Sequence, residues 1–156
     1  MAKTSNKKKK KKKCKTGKQI LKNHVKDLFP DTCFVRADDH NKLSGNVIDV
    51  AQPFLDNCPN FKLQKIMLSM AILAWNLAIV PEGLVEKSRD DMQEKLCRGD
   101  AQMIEDLDKV IESLIARKHL LYPEDNRIVI NYHISETAGG YHLDVAFPVP
   151  ESAVKK

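Results

Sequence analysis

The spacing of hydrophobic and polar residues predicts a mostly helical chain that ends in a β-hairpin. Apolar residues recur at every third or fourth position in three stretches, as on the buried face of an amphipathic helix. These stretches predict helices over residues 19–29, 47–55 and 103–121. Residues 84–97 are highly charged and only weakly periodic, which indicates a surface helix. Residues 61–80 are apolar on nearly every face, so we expect this helix at the centre of the domain.

Residues that start or stop helices divide these stretches. Asn60 and Asp100 each precede a predicted helix, and their side chains suit the N-cap, where they can accept hydrogen bonds from free backbone N–H groups. Pro53 is expected to bend or divide the second helix, because proline lacks an N–H and clashes with the preceding turn. Residues 32–37 favour a short strand, and residues 38–45 are polar and predicted to form a loop.

The apolar stretch within the central helix contains only two polar residues. Ser69 and Asn76 are the exceptions in residues 66–80, and seven positions place them on nearly the same side of a helix. If they are buried, each needs a hydrogen-bond partner, so we expect a structural role for both. Trp75 is predicted to anchor the core. This stretch is shorter than the roughly 20 residues that cross a bilayer, so no membrane span is predicted.

After residue 126 the hydrophobic period changes from helical to alternating. Alternate apolar residues on both sides of a Gly-rich turn predict an antiparallel hairpin over residues 127–148, with Ala138, Gly139 and Gly140 in the turn. Two strands are marginally stable alone, so the apolar face of the hairpin must cover the helices or join a third strand. The predicted fold is therefore α+β, with four or five helices around residues 61–80 and a C-terminal hairpin.

The basic charge of the chain is concentrated at its N-terminus. Residues 1–18 contain ten lysines and no acid, whereas residues 19–156 contain 16 basic and 21 acidic side chains, a net charge of −5. The first eighteen residues have too little apolar surface to offset chain entropy, and their charges repel one another. We therefore predict a disordered lysine-rich tail over residues 1–18 and a single domain over residues 19–156.

The lysine run is the strongest compositional signal for a partner. Lysines bind polyanions such as nucleic acid by releasing counterions from the phosphates, and salt weakens this binding. Because the tail has no arginine and no aromatic residue, we expect its binding to be independent of base sequence. A solvated tail without a function is the alternative interpretation. The residues predicted to contact nucleic acid are Lys7, Lys8, Lys9, Lys10, Lys11, Lys12 and Lys13.

The cysteines and the N-terminus indicate an intracellular protein. The four cysteines are far apart and form no C-x-x-C pair, so a disulfide framework is not expected. No apolar stretch follows the basic residues of the N-terminus, as a secretory signal would require. We therefore predict the cytoplasm, or the nucleus in a eukaryote, where a lysine run can act as a localisation signal. The cysteines are Cys14, Cys33, Cys58 and Cys97.

The second face of the hairpin carries the only polar side chains that an alternating pattern could bring together. Pairing across a connection from Thr137 to Gly140 would place His133 opposite Asp144 and Ser135 opposite His142, near enough for hydrogen bonds or shared metal ligation. A shift of one residue would destroy this arrangement. His133, His142 and Asp144 are therefore weak catalytic candidates, and an ordinary solvent-facing strand surface is the favoured interpretation.

The remaining polar clusters favour structural interpretations. Asp38, Asp39 and His40 resemble a ligand set in residue type only, because neighbours on a loop point in different directions. His24 and His119 lie on predicted helices, and Lys118 is placed outside the buried stripe of its helix. No metal site, no cofactor and no nucleotide-binding motif is predicted.

The leading functional hypothesis is a non-enzymatic binding or adaptor domain, tethered to nucleic acid or another polyanion by its tail. The alternatives are a small metal-dependent or hydrolytic enzyme with its site on the hairpin, and a protein-interaction module with an acidic body.

Overall fold

The described part of the chain folds into five helices followed by an antiparallel β-hairpin, a mostly helical α+β fold. The structure is a computed structural model, and it describes residues 16–28, 30, 42–80 and 86–149. The elements are α1 (Gly17–Leu28), α2 (Leu43–Leu55), α3 (Phe61–Leu77), α4 (Glu86–Cys97), α5 (Ala101–Leu121), β1 (Asn131–Thr137) and β2 (Gly140–Ala146).

Helix α3 lies at the centre of the fold, as its all-round apolar character predicts. It packs against α2, α5 and β2, and the segment from Met70 to Trp75 is buried throughout. Trp75 is 0% exposed, so its predicted place in the core is confirmed. The helix ends at Leu77, three residues before the predicted end. Within the described residues no helix is both long and apolar enough to cross a membrane.

The predicted helix caps are present. The Asn60 side chain accepts a hydrogen bond from the Leu63 backbone N–H at 3.0 Å, and the Asp100 side chain accepts from the N–H groups of Gln102 and Met103. Asp100 follows Gly99, whose φ of 82° lies in the left-handed region that glycine adopts at little cost. Both helices therefore begin where the local sequence places them.

Helix α2 differs from the prediction in two ways: it starts earlier, and it is not divided at Pro53. It begins at Leu43, inside the segment predicted as a loop, and it continues through Pro53 to Leu55 without dividing. A proline at position 53 cannot donate to the carbonyl of Asp49, four residues earlier. Arg117 of α5 supplies hydrogen bonds at this point of the helix. Its guanidinium donates to the Asp49 carbonyl at 3.1 Å and to the Val50 carbonyl at 2.8 Å. A contact from a distant helix therefore stabilises the proline-containing turn.

One charged residue of α5 is buried, against the prediction. Leu107, Ile111 and Leu114 face the core as expected, but Lys118, four residues after Leu114, is also only 1% exposed. Its ammonium lies 5.4 Å from the centroid of the Trp75 ring, within the range of a cation–π interaction. The stripe of α5 that meets the core therefore extends one turn further than its apolar residues indicate.

Some predictions fall on residues that the structure does not describe. The strand over residues 32–37 and the first residues of the following loop lie outside the described ranges, as do Cys14 and Cys33. Cys58 and Cys97 are free thiols.

Tyr122 links the end of α5 to α2, and its ionisation should lower the free energy of unfolding at alkaline pH. Its hydroxyl donates to the Asp49 carboxylate at 2.5 Å. Burial, and then the hydrogen bond and charge of Asp49, raise the pKa of Tyr122 from 10.0 to about 12. Because the folded pKa is the higher one, this contribution to stability is complete below pH 10 and is lost as pH rises from 10 to 12.

We compare the free energy of unfolding of the unchanged protein with that of Tyr122→Phe. The difference between the two should shrink by about 1 kcal/mol across this pH range, after allowance for solvent screening. Urea unfolding of both proteins at pH 8 and at pH 11.5 (roughly the upper end of the interval) measures it. Parallel pH profiles for the two proteins would show that the Tyr122 hydroxyl does not contribute this dependence.

Candidate functional site

The register of the hairpin brings the predicted polar residues together. His133 pairs with Asp144, and Ser135 pairs with His142, across a tight turn formed by Ala138 and Gly139. This is the register in which the sequence predicts a polar cluster. Ile134 pairs with Leu143 on the opposite face, and both are buried in the core.

Helix α1 packs against the polar face of the hairpin, so the prediction of an ordinary solvent-facing surface is wrong for Asp144. The helix packs against both β1 and β2. Asp144 is consequently only 9% exposed, and His133 is half-buried. Val129, just before β1, is also buried. The amphipathic pattern of α1 alone does not reveal which surface its apolar side meets, and here it meets a polar one.

Gly17 allows the closest approach between α1 and the hairpin. A Cβ atom at this position would lie 2.8 Å from Oδ2 of Asp144 and 2.8 Å from Cδ2 of His133. Either distance would force the Asp144 or His133 side chain to shift, whereas glycine fits without moving them. The Asp144 carboxylate thus lies under the amino end of α1, where free N–H groups and the helix dipole favour a negative charge.

The buried carboxylate also orients an exposed histidine. Oδ1 of Asp144 lies 3.2 Å from Nε2 of His142, whose side chain is 56% exposed. Nδ1 of His142 takes no part in this contact. Oδ2 of Asp144 has no hydrogen-bond partner within the described ranges. The sequence prediction paired Asp144 with His133, whereas its hydrogen-bond partner is His142, two residues away on the same strand and therefore on the same face.

The exposed side of His142 opens into a shallow groove. One wall is formed by β2 and the other by the first turn of α2, where Ser44 supplies a hydroxyl and Lys42 an ammonium. Lys42 precedes the helix, and it makes no side-chain hydrogen bond that caps α2. Within the described residues, no three His, Cys, Asp or Glu side chains are grouped closely enough to hold a metal ion. The side chains of His142, Ser44 and Lys42 are among those that line this groove.

The outer surface of α1 carries a row of lysines. Lys18, Lys22 and Lys26 recur at every fourth position, and all three are exposed, whereas Leu21 and Val25 are buried. No acidic residue occurs between Gly17 and Lys26. The basic character of the N-terminus therefore continues onto a folded helix.

The two polar residues of the central helix have structural roles, as predicted. The Asn76 side chain donates to the Val129 carbonyl and accepts from the Val129 N–H, both at 2.9 Å. Ser69 donates to the Lys65 carbonyl and accepts from the Tyr132 hydroxyl. Both side chains thus form hydrogen bonds within the domain.

The other predicted candidates are not near this face or are not described. His24 and His119 are exposed on α1 and α5. The cluster of Asp38, Asp39 and His40 and the run over residues 7–13 lie outside the described ranges.

A local signal in the sequence, at Thr16 and Gln19, marks the start of α1. The Thr16 N–H donates to Oε1 of Gln19 at 3.3 Å, and the Thr16 carbonyl accepts from the N–H groups of Gln19 and Ile20. Thr-x-x-Gln matches the capping-box signature, in which the third helical residue returns a hydrogen bond to the cap. It places the start of α1 at Gly17, two residues before the predicted start at Gln19, and so includes Lys18 in the folded domain.

No protein-family model matches the chain, and comparisons with curated proteins and with solved structures find no match.

Proposed function

We propose that this protein is a binding domain held on nucleic acid by its lysine-rich N-terminus. The observation that supports the proposal is the attachment of the lysine run to the body. Nine lysines precede Thr16, and α1 then begins at once and packs on the hairpin. In the sequence, the lysine-rich segment thus ends at Lys15, two residues before α1 begins.

The charge distribution assigns nucleic-acid binding to the N-terminal lysines and not to the acidic rest of the domain. An arm of adjacent ammonium groups neutralises phosphates and releases their counterions, which supplies affinity without reading bases. The domain after residue 18 has a net charge of −5 and should be repelled by the same phosphates. This repulsion leaves the acidic body free for a second partner while the arm holds the nucleic acid.

Removal of residues 1–15 is the direct test, because this truncation keeps the Thr16 cap and all of α1. We expect the affinity for a mixed-sequence single-stranded RNA to fall by at least about 100-fold near 0.1 M salt, since each lost phosphate contact carries a slope of about 0.7 in log affinity against log salt. Fluorescence anisotropy over a salt series measures the affinity and its dependence on salt.

A full-length variant with glutamine at residues 7–13 separates charge from chain length. It should lose affinity nearly as strongly as the truncated protein, because the phosphates respond to the ammonium groups. Equal RNA binding by the truncated and full-length proteins would refute the proposal. So would binding to phosphatidylserine vesicles without binding to RNA, because the partner would then be an anionic membrane.

A second candidate function is favoured by the contact between His142 and Asp144. We propose that His142, oriented by the buried carboxylate, acts as a general base for ester hydrolysis in the adjacent groove. Nδ1 would take a proton from water while the water oxygen adds to the carbonyl carbon. The imidazolium would then return that proton to the departing alkoxide oxygen, which leaves acid and alcohol as products.

Hydrolysis of p-nitrophenyl acetate by His142→Gln tests this second function. We expect the rate to fall at least about tenfold, within the range that a positioned base contributes. His119→Gln is the matched control, since His119 is an exposed histidine on α5. Equal rates for the two variants would exclude a special role for His142.

A further inference from the structure

We infer that Nδ1 of His142 accepts a phosphoryl group from a donor that carries it on nitrogen, and that Asp144 stabilises the product. The site is the exposed side of the contact between these two residues, where Oδ1 of Asp144 lies 3.2 Å from Nε2 of His142. This covalent modification goes beyond the proposed functions, and it requires neither nucleic-acid binding nor ester hydrolysis.

The contact with Asp144 determines which ring nitrogen is the nucleophile. An ionised carboxylate can only accept hydrogen bonds, so the nitrogen that meets it carries the hydrogen. Because a neutral imidazole has one N–H, the hydrogen on Nε2 leaves the lone pair on Nδ1. Within the described part of the chain, Nδ1 of His142 has no hydrogen-bond partner, and the side chain is 56% exposed. Nδ1 is therefore the nitrogen that a donor can reach.

Attack by Nδ1 on phosphorus places a positive charge on the ring, next to a buried carboxylate. The Asp144 side chain is only 9% exposed, and a hydrogen bond between charged groups is strongest where little water competes with it. The contact should therefore strengthen as the ring becomes cationic, which stabilises the transition state of the transfer. An exposed histidine without a carboxylate partner lacks this stabilisation.

The transfer balances without an added acid or base. The lone pair of Nδ1 forms a bond to phosphorus while the bond from phosphorus to the protonated donor nitrogen breaks. That nitrogen keeps the bonding pair and leaves as a neutral amine. The ring hydrogen stays on Nε2, where Asp144 accepts its hydrogen bond. The product is an imidazolium that carries the phosphoryl group on Nδ1, and no atom is oxidised or reduced.

The groove beside His142 leaves room for the phosphoryl group. Its volume is about 330 Å³, and Ser44 on the opposite wall supplies a hydroxyl that can donate to a phosphoryl oxygen. Its charged side chains, apart from the histidine, are Lys42 and Asp49, and the Asp49 carboxylate accepts a hydrogen bond from the Tyr122 hydroxyl. Since one cation and one anion offset each other, the contact between His142 and its buried carboxylate is what selects the modification.

Incubation of the full-length protein with potassium phosphoramidate at about pH 8, where a solvated histidine is neutral, tests the inference. We expect His142 to react at least about tenfold faster than His119, an exposed histidine on α5, because a hydrogen bond to an ionised group contributes a change of about this size. Peptide mass spectrometry measures the two rates. Phosphorus NMR identifies the isomer, which should be Nδ1 at His142 and mainly Nε2, the nitrogen farther from the main chain, at a solvated histidine.

Two controls separate the effect of the carboxylate from that of exposure. Asp144→Asn keeps the shape of the side chain and removes its charge, so the rate at His142 should fall about tenfold while the rate at His119 stays the same. In urea-unfolded protein the two histidines should react equally and give the same isomer, which provides a test that does not depend on the folding of Asp144→Asn.

Three results would overturn the inference: equal rates at His142 and His119 in the folded protein, an Nε2 product at His142, or an unchanged rate at His142 in folded Asp144→Asn. None of them bears on RNA binding, which the truncation of residues 1–15 tests separately.

Discussion

Replacing Trp75 by alanine should lower the free energy of unfolding by about 3–5 kcal/mol, the usual loss for a large aromatic side chain in a core. Trp75 is 0% exposed, its ring meets Tyr122 at 5.9 Å between centroids, and the Lys118 ammonium lies over it. The substitution would leave a cavity at the centre of the fold and a buried cation without its aromatic partner. Urea unfolding followed by circular dichroism measures the loss.

The indole N–H of Trp75 also makes a hydrogen bond, and a second variant measures its contribution to the free energy of unfolding. It donates to the Arg127 carbonyl at 2.8 Å, so Trp75 also holds the segment that leads into the hairpin. Trp75→Phe keeps most of the apolar volume and should cost about 1–3 kcal/mol, mainly from the unpaired carbonyl. Leu120→Ala is the control, because Leu120 is 77% exposed. If Trp75→Ala were no more destabilising than Leu120→Ala, Trp75 would not anchor this core.

The second large effect is expected at Asn76, where substitution by alanine should cost about 2–4 kcal/mol for two main-chain groups left unpaired. Its side chain makes two hydrogen bonds with Val129, as a neighbouring strand would. Val129 is buried, so water cannot replace this partner in the folded state. The hairpin is therefore fastened to α3 by a polar side chain within an apolar helix. Urea unfolding measures the loss.

Hydrogen exchange gives this prediction a local readout. The Val129 amide should exchange faster in Asn76→Ala, even under conditions in which the whole protein stays folded. Asn76→Asp, whose carboxylate can accept from the Val129 N–H but cannot donate to the carbonyl, should also be destabilised. Ser69→Ala is the control in the same helix, since the Ser69 hydroxyl bonds to a carbonyl of its own helix and to an exposed tyrosine. Unchanged protection of the Val129 amide in Asn76→Ala would contradict the proposed fastening.

The two candidate activities meet at the amino end of α1. The lysine tail joins the domain at Thr16, and Gly17 then lies against the carboxylate that orients His142. A change in the position of α1 would therefore move its exposed lysines and change the surroundings of the Asp144 side chain.

Local features of the sequence determined the elements of this fold. The caps at Asn60 and Asp100 and the apolar stretch of α3 are encoded within a few residues of where they act, so their prediction needs no knowledge of distant contacts. The hairpin register is local for the same reason, because a short Gly-containing turn aligns His133 with Asp144. Of the candidate site, the sequence thus predicted which polar residues share a face.

Only the tertiary structure decided what covers each face. Asp144 is buried beside α1, more than a hundred residues earlier in the chain, and Arg117 of α5 donates to the Asp49 carbonyl to which Pro53 cannot donate. Hydrophobic periodicity reports which side of an element avoids water, but it does not specify which distant surface meets that side. The charged side chains of Lys118 and Asp144 therefore favour solvent by their chemistry, but packing between remote segments buries both. Lys118 lies over the ring of Trp75, and Asp144 lies beside Gly17 at the amino end of α1.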